Sequence, residues 1–289
     1  MKGIHSIYTF TNKKNQSYLN MGLFEAYTLI LSCVYWKKLY GNIKLYCDFE
    51  FYQFINKNGF KNLWDEIDYK AFNNLPKEID YSIFWTYPKM YIHSLQKEPF
   101  TSIDADLYIS KKIKIDADVA YAHSEAHSNK YYPSYHKEKR YLNIFKNIKI
   151  EENLPIMNTC VLTINKLDFY QELIKVTTNF AKQVSKEKYK LDPIAYTIFC
   201  EQKIISSILK KYKITTKPYY KKEWNPDGLN NKEFKLEDSG IFHLWWYKNI
   251  IRENYNLRLN TNLKLEKIIE KEHPEMMDIA NKFKKLLKF

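Results

Sequence analysis

The chain has 289 residues, with 46 Lys and Arg against 33 Asp and Glu, for a formal net charge of +13. It is 45% hydrophobic and 17% aromatic, with only 6 Gly and 9 Pro. That composition excludes a disordered segment, a fibrous repeat and a flexible linker. The length allows one large domain or two ordinary ones.

The charge has a background component. Lys, Asn, Ile and Tyr abound and Arg is confined to Arg140, Arg252 and Arg258, as in the product of an AT-rich coding sequence. A basic surface favours anionic partners without choosing among nucleotides, nucleic acid and acidic lipid. The four cysteines, at 33, 47, 160 and 200, form no CxxC pair and have no His at zinc-finger spacing, so reduced core thiols in a cytoplasmic protein are expected. The N-terminus lacks the apolar run of a signal peptide, and the stretch around Tyr27 to Trp36 is too short to span a membrane.

Residues 4–10 read as a first strand, followed by the polar loop TNKKNQS. Ser17 is the expected cap of a long helix from Tyr18 to Tyr40 that stops at Gly41. Residues 43–47 read as a second strand ending at Asp48, and a short helix then stops near Gly59. Strand, helix, strand and helix in this order predict a parallel α/β sheet. Pro76 and Pro88 break the next stretch, and a helix is expected over 89–97. Strands follow at 100–103, 118–122 and 157–164, helices at 166–186 and 192–211, and a late strand at 240–244. No repeat or linker divides the chain. The expectation is a single α/β domain over 1–262, with a mostly parallel central sheet and a helical C-terminal part. A basic helical tail over 263–289 would pack on that domain or on a membrane surface. In MMDIANKFKKLLKF, Ile279, Phe283, Leu286 and Leu287 share a helix face opposite the lysines.

The segment PFTSIDADLYI holds the most chemistry. Asp104 and Asp106 stand two residues apart just past an apolar strand, so they project to one side of the backbone with only Ala105 between them. In an open α/β sheet, ligands bind beyond the C-terminal ends of strands. Paired carboxylates there suit a hard divalent cation whose open positions take phosphate oxygens. The triplet recurs at Asp116-Ala117-Asp118, but there it follows the alternating, solvated run KKIKI and itself begins a strand. The second copy is therefore read as turn residues.

A helix with an early Lys89, followed by PFTSIDADLYI, resembles the GT-A superfamily of glycosyltransferases. Three later segments are similar to that family's pattern in the same order. They are MNTCVLTIN (Asn158, with Cys160 where Gly is usual), FCEQKIISSIL (Glu201 and Gln202) and FHLWWYKN (His243 and Lys248). The likeness runs over roughly residues 4–250 and is closest to bacterial glycosyltransferase-like proteins, distantly similar to the glycogenin and lipopolysaccharide galactosyltransferase group.

This resemblance implies a GT-A, Rossmann-like fold and transfer of a sugar from a nucleotide-sugar donor to a glycan or lipid-linked acceptor, as in bacterial surface polysaccharide synthesis. It implies Mn2+ or Mg2+ held by Asp104, Asp106 and His243. Catalytic roles fall to Asp106, Glu201 and Gln202. Donor contacts fall to Tyr8, Thr9, Phe10, Asp48, Lys89, Asp104, Asn158 and Lys248. The His- and Tyr-rich loop after the 118–122 strand offers His123, Glu125 and Tyr132 as acceptor contacts, because sugars stack on aromatic rings and hydrogen-bond through hydroxyls. A zinc site from His123, His127 and His136 is a weaker reading, since no HExxH pattern accompanies it.

Three other classes fit less well. A nucleotidyltransferase also pairs carboxylates with a metal, but it would carry a Gly-rich phosphate loop, and no Gly lies between Ile4 and Asn20. A nucleic-acid-binding protein should show an Arg-rich basic stripe, so no nucleic-acid partner is expected. A glycosidase separates its two carboxyls across one bond rather than by two residues. The expected location is cytoplasmic, with peripheral contact at the inner membrane face open to the tail.

Overall fold

The computed structural model describes residues 1–9, 18–113, 116–187, 193–225, 227–228, 234–245 and 247–287. The elements in chain order are β1 (Lys2–Ile7), α1 (Leu23–Tyr40), β2 (Ile43–Cys47), α2 (Phe49–Asn58), β3 (Glu66–Asp68), α3 (Tyr87–Ser94), β4 (Phe100–Ile103), β5 (Leu107–Ile109) and β6 (Val119–Glu125). They continue with α4 (Leu142–Phe145), β7 (Ile156–Ile164), α5 (Tyr170–Ser185), α6 (Pro193–Ile198), α7 (Ile205–Lys211), β8 (Thr216–Trp224), β9 (Ile241–His243), α8 (Tyr247–Glu253), α9 (Tyr255–Glu272) and α10 (Met277–Leu286). A π-helical segment, Phe199–Ile204, joins α6 to α7.

Seven strands form one sheet in the order β3-β2-β1-β4-β7-β6-β8. Strand β7 runs antiparallel to both β4 and β6, and the other four pairings are parallel. The expected mostly parallel α/β sheet is therefore the fold. β5 and β9 make a separate antiparallel ribbon. Two apolar layers cover the large sheet, one built on α1 and the C-terminal helices, the other on α3, α5, α6 and α7.

Helix α1 is buried without a break from Leu23 to Trp36. A helix that is apolar all round belongs in the interior, and α1 packs on β5, α9 and α10. It starts later than expected. Gly22 is its N-cap in extended geometry, and the Glu25 carboxylate accepts the Gly22 N–H at 2.8 Å, which closes the first turn. Ser17, the expected cap, lies outside the described residues. Pro88 opens α3 rather than breaking it, because proline at the first helical turn costs no hydrogen bond.

β8 has no counterpart in the expected elements. Its sequence, TKPYYKKEW, is polar because it forms an edge of the sheet, where lysines and a proline discourage pairing with another chain. In the tail, Phe283 is buried and stacks on Phe60 with 3.7 Å between ring centroids, while Leu286 is exposed. Among the described residues, no helix is long and apolar enough to cross a membrane.

Candidate active site

Chain geometry beyond β4 builds the site. β4 ends at Ile103, and Asp104-Ala105-Asp106 turns the backbone into β5. The Asp104 N–H donates to the Cys160 carbonyl on β7 at 2.8 Å, fixing the turn against the sheet. Pairing of β5 with β9 sets Leu107 opposite His243, and the Leu244 N–H donates to the Asp106 carbonyl at 3.0 Å. One ligand atom from each of Asp104, Asp106 and His243 lies within 4.8 Å of the others. Among the described residues this is the one such group of three, so His123, His127 and His136 do not assemble a second.

Two lysines serve these carboxylates. Lys248, in the first turn of α8, reaches Asp106 Oδ2 at 2.5 Å, while His243 Nε2 lies 3.4 Å from Asp106 Oδ1. Lys89, on α3, reaches Asp104 Oδ1 at 2.8 Å and Glu201 Oε1 at 2.5 Å. Thr159 Oγ1 donates to the same Glu201 oxygen at 2.6 Å. Burial alone would raise the Asp106 carboxyl, but Lys248 and His243 overcome it and hold that group well below its ordinary range. Burial pushes Asp104 up, and the Lys89 ammonium offsets only part of this. Lys89 itself stays firmly protonated, since its two carboxylate neighbours outweigh its own burial.

These groups line a cleft of about 370 Å3 together with Tyr8, Asn158, Gln202, Trp245 and Arg252. The donor set fits a divalent cation. Two carboxylates and an imidazole converge, and the buried His243 Nδ1 has no protein partner.

The expected acceptor residues sit elsewhere. His123, Glu125 and Tyr132 are buried and absent from the cleft wall. β6 is an interior strand flanked by β7 and β8, so the polar residues of its end point into the protein. Asn158 Nδ2 donates to Glu125 Oε1 at 2.7 Å, and the Tyr132 hydroxyl donates to Glu125 Oε2 at 2.5 Å. The same hydroxyl lies 2.6 Å from the Gln202 side-chain amide. The Gln202 atom at that contact is Oε1, so Glu125 and Gln202 compete for the single Tyr132 proton. His123 packs edge-on to Phe234, and burial lowers its ring to about 4. These residues brace the cleft floor from behind.

Burial also raises the Glu125 carboxyl above its ordinary value. Such a group contributes stability below the unfolded carboxyl range and loses it as pH rises through the folded value. Glu125→Gln should therefore gain on the parent protein in melting temperature between about pH 4.5 and pH 8. Thermal denaturation of both proteins across that window tests this, and a constant difference would refute it.

Of the expected donor residues, Tyr8 lines the cleft with its ring against Phe72 and Tyr81 at 5.2 and 5.6 Å. Thr9 and Asp48 do not line it. Asp48 caps α2 by accepting the Phe51 N–H at 2.9 Å, and its other oxygen accepts the Thr9 hydroxyl at 2.7 Å. A carboxylate engaged this way ties β1 to α2 rather than meeting a ligand. Phe10 lies outside the described residues. In the second triplet, Asp118 accepts the Thr215 hydroxyl and N–H at 2.8 and 2.9 Å, which ties the start of β6 to the residue before β8.

Two charged cleft residues have no place in the sequence motifs. Arg252 follows Lys248 by one helical turn on α8, and its Nη2 meets Glu25 Oε1 at 2.7 Å. Glu25, in the first turn of α1, lines the cleft as well. The rarity of arginine in this chain was the available signal for Arg252.

The fold and cleft thus define a mixed α/β protein with a candidate cation and anion site at the strand ends. The chain belongs to the family of unknown function DUF6734, which it matches over residues 1–282. No curated protein matches the sequence. Among solved structures it is similar to the galactosyltransferase LgtC (11% identity, TM-score 0.37, 70% of this chain on 71% of that one). It is similar to mouse xyloside xylosyltransferase 1 (11%, 0.41, 84% on 97%). It is also similar to a nucleoside-diphosphate-sugar pyrophosphorylase from Vibrio cholerae (9%, 0.39, 84% on 95%). These likenesses are remote, and the chemistry rests on the side chains.

Proposed function

We propose that the protein is a metal-dependent glycosyltransferase, moving a sugar from a nucleoside-diphosphate donor to a glycan or lipid-linked acceptor. The observation that carries this is the convergence of Asp104, Asp106 and His243 beside Lys248 in one cleft. A nucleoside diphosphate is a poor leaving group until its charge is neutralised. Asp104, Asp106 and His243 would hold a divalent cation that supplies Lewis-acid charge to that diphosphate. The mixed carboxylate and imidazole set suits Mn2+ better than the all-oxygen preference of Mg2+.

The chain's own groups supply the rest. Lys248 and Arg252 stand one turn apart on the same helix and both line the cleft. An ammonium and a guanidinium so spaced grip adjacent phosphate groups. Glu201, fixed by Lys89 and Thr159, is the carboxylate proposed to meet the acceptor hydroxyl. Gln202 and Asn158 lie beside it, held through Tyr132 and Glu125. Tyr8 offers a ring for the nucleobase. A cytoplasmic setting, with a catalytic body and a basic tail from about residue 263, belongs to the same reading. The four cysteines support it, being unpaired and buried.

Calorimetric titration with UDP, GDP and CDP, each with and without MnCl2, tests the proposal. One diphosphate should bind only when Mn2+ is present. Binding of none of the three, or binding indifferent to Mn2+, would overturn it.

A further inference from the structure

A second cavity, also of about 370 Å3, lies beside the cleft. Six aromatic side chains line it: Tyr108, Trp224, Phe234, Phe242, Trp245 and Tyr247. Among the described residues, its other polar groups are on Thr28, Glu237 and His243. Two lining residues, His243 and Trp245, also line the catalytic cleft. Their rings lie nearly parallel, 5.8 Å between centroids and 5° between planes, so this stacked pair is the partition between the two spaces.

The aromatic wall is angled. Trp224 meets Trp245 at 5.0 Å and 61°, and meets Phe234 at 5.2 Å and 71°. Phe242 and Tyr247 remain 38% and 60% exposed. Leaving this much aromatic surface open beside a charged cleft forgoes burial that would otherwise stabilise the fold.

A ligand that spans the partition would place a polar, reacting part in the cleft and an apolar part against these rings. The donor belongs to the cleft, because Lys248 and Arg252, proposed to meet its diphosphate, and Tyr8, proposed to meet its base, all line that side. A polar oligosaccharide would find few hydrogen-bonding groups there. The polar side chains first expected to hold the acceptor, His123, Glu125 and Tyr132, are sealed inside the protein.

We propose that the second cavity binds the apolar aglycone of the acceptor, a hydrocarbon or aryl group attached to the sugar whose hydroxyl enters the cleft. This rests on the glycosyltransferase reading and adds the acceptor's chemical class to it.

The test is a tryptophan-fluorescence titration of the full chain with methyl, hexyl and octyl β-glucoside, each below its micelle concentration. Affinity should rise about fourfold for each added methylene, the increment expected when hydrocarbon leaves water. Trp224→Ala and Phe242→Ser should each weaken octyl glucoside binding at least tenfold. Phe242 is partly exposed, so its variant keeps the test open if Trp224→Ala does not fold. Mn2+-dependent nucleoside-diphosphate binding, measured on the same samples, should be unchanged and so reports an intact cleft.

Equal affinity for methyl and octyl glucoside would overturn the inference, as would octyl binding that neither variant weakens. The two readings fail separately. Chain-length dependence without any diphosphate binding in the parent protein leaves the cavity as an apolar site and removes the glycosyltransferase. Diphosphate binding without chain-length dependence does the reverse.

Discussion

Asp106→Asn should abolish Mn2+-dependent nucleoside-diphosphate binding while leaving the chain folded. Asparagine keeps the shape of the side chain and removes its charge. That carboxylate is the most heavily committed group of the cluster, in contact with both Lys248 and His243 and held anionic by them. Losing one of two carboxylates from a three-group site should cost at least about 100-fold in cation affinity, the upper range for a supporting residue alone.

The fold should tolerate the change. Lys248 is 30% exposed along its side chain and can turn its ammonium to water, so the stability loss is set at about 1–3 kcal/mol. Titration calorimetry with MnCl2 and the cognate diphosphate reads the first effect, and urea denaturation reads the second. Asp118→Asn is the matched control, because Asp118 belongs to the other Asp-Ala-Asp triplet and only anchors Thr215. Retained metal-dependent binding in Asp106→Asn would remove that residue from the site.

The second large effect is on stability. Lys89→Met leaves Asp104 and Glu201 without the cation that both now contact. Glu201 is 7% exposed and would keep only the Thr159 hydroxyl among the partners described. Removing one partner of a buried charged set costs about 3–5 kcal/mol, since the remaining charge stays desolvated. Methionine fills a similar volume, so a cavity is not the cause. The deficit should shrink as pH falls, because burial already raises the Asp104 carboxyl and its protonation removes one stranded charge. A loss under about 1 kcal/mol, or one independent of pH, would mean that the cleft opens to water without Lys89.

How much of this was legible depended on the range of each contact. The β1–α1–β2 opening was readable because apolar runs and Gly41 punctuate it locally. Asp104 and Asp106 were readable for the same reason, being two residues apart at the end of an apolar strand. His243, Lys248 and Glu201 carry no local signal strong enough to stand alone, and it was the likeness of their segments, in order, to the GT-A pattern that singled them out. The Glu25–Arg252 pair joins residues more than two hundred positions apart, and no spacing rule reaches that far.

Two misreadings share one cause, which is that a residue's polarity does not reveal the depth at which it sits. β8 was given no element because its edge position lets lysines face solvent and hides the strand pattern. His123, Glu125 and Tyr132 looked like an exposed sugar-binding loop, yet Tyr132 is 2% exposed and its hydroxyl is spent on Glu125. Asp48 was legible as a strand-end carboxylate, but its service as a helix cap became visible only with α2 in place.

The β5–β9 ribbon has a bearing on how the protein is made. Asp104 and Asp106 leave the ribosome long before the strand carrying His243. Until residues 241–248 are translated, a nascent chain holds two carboxylates with Lys89 and neither His243 nor Lys248. On the proposed reading, the set of three ligands is therefore completed only late in synthesis, when β9 pairs with β5.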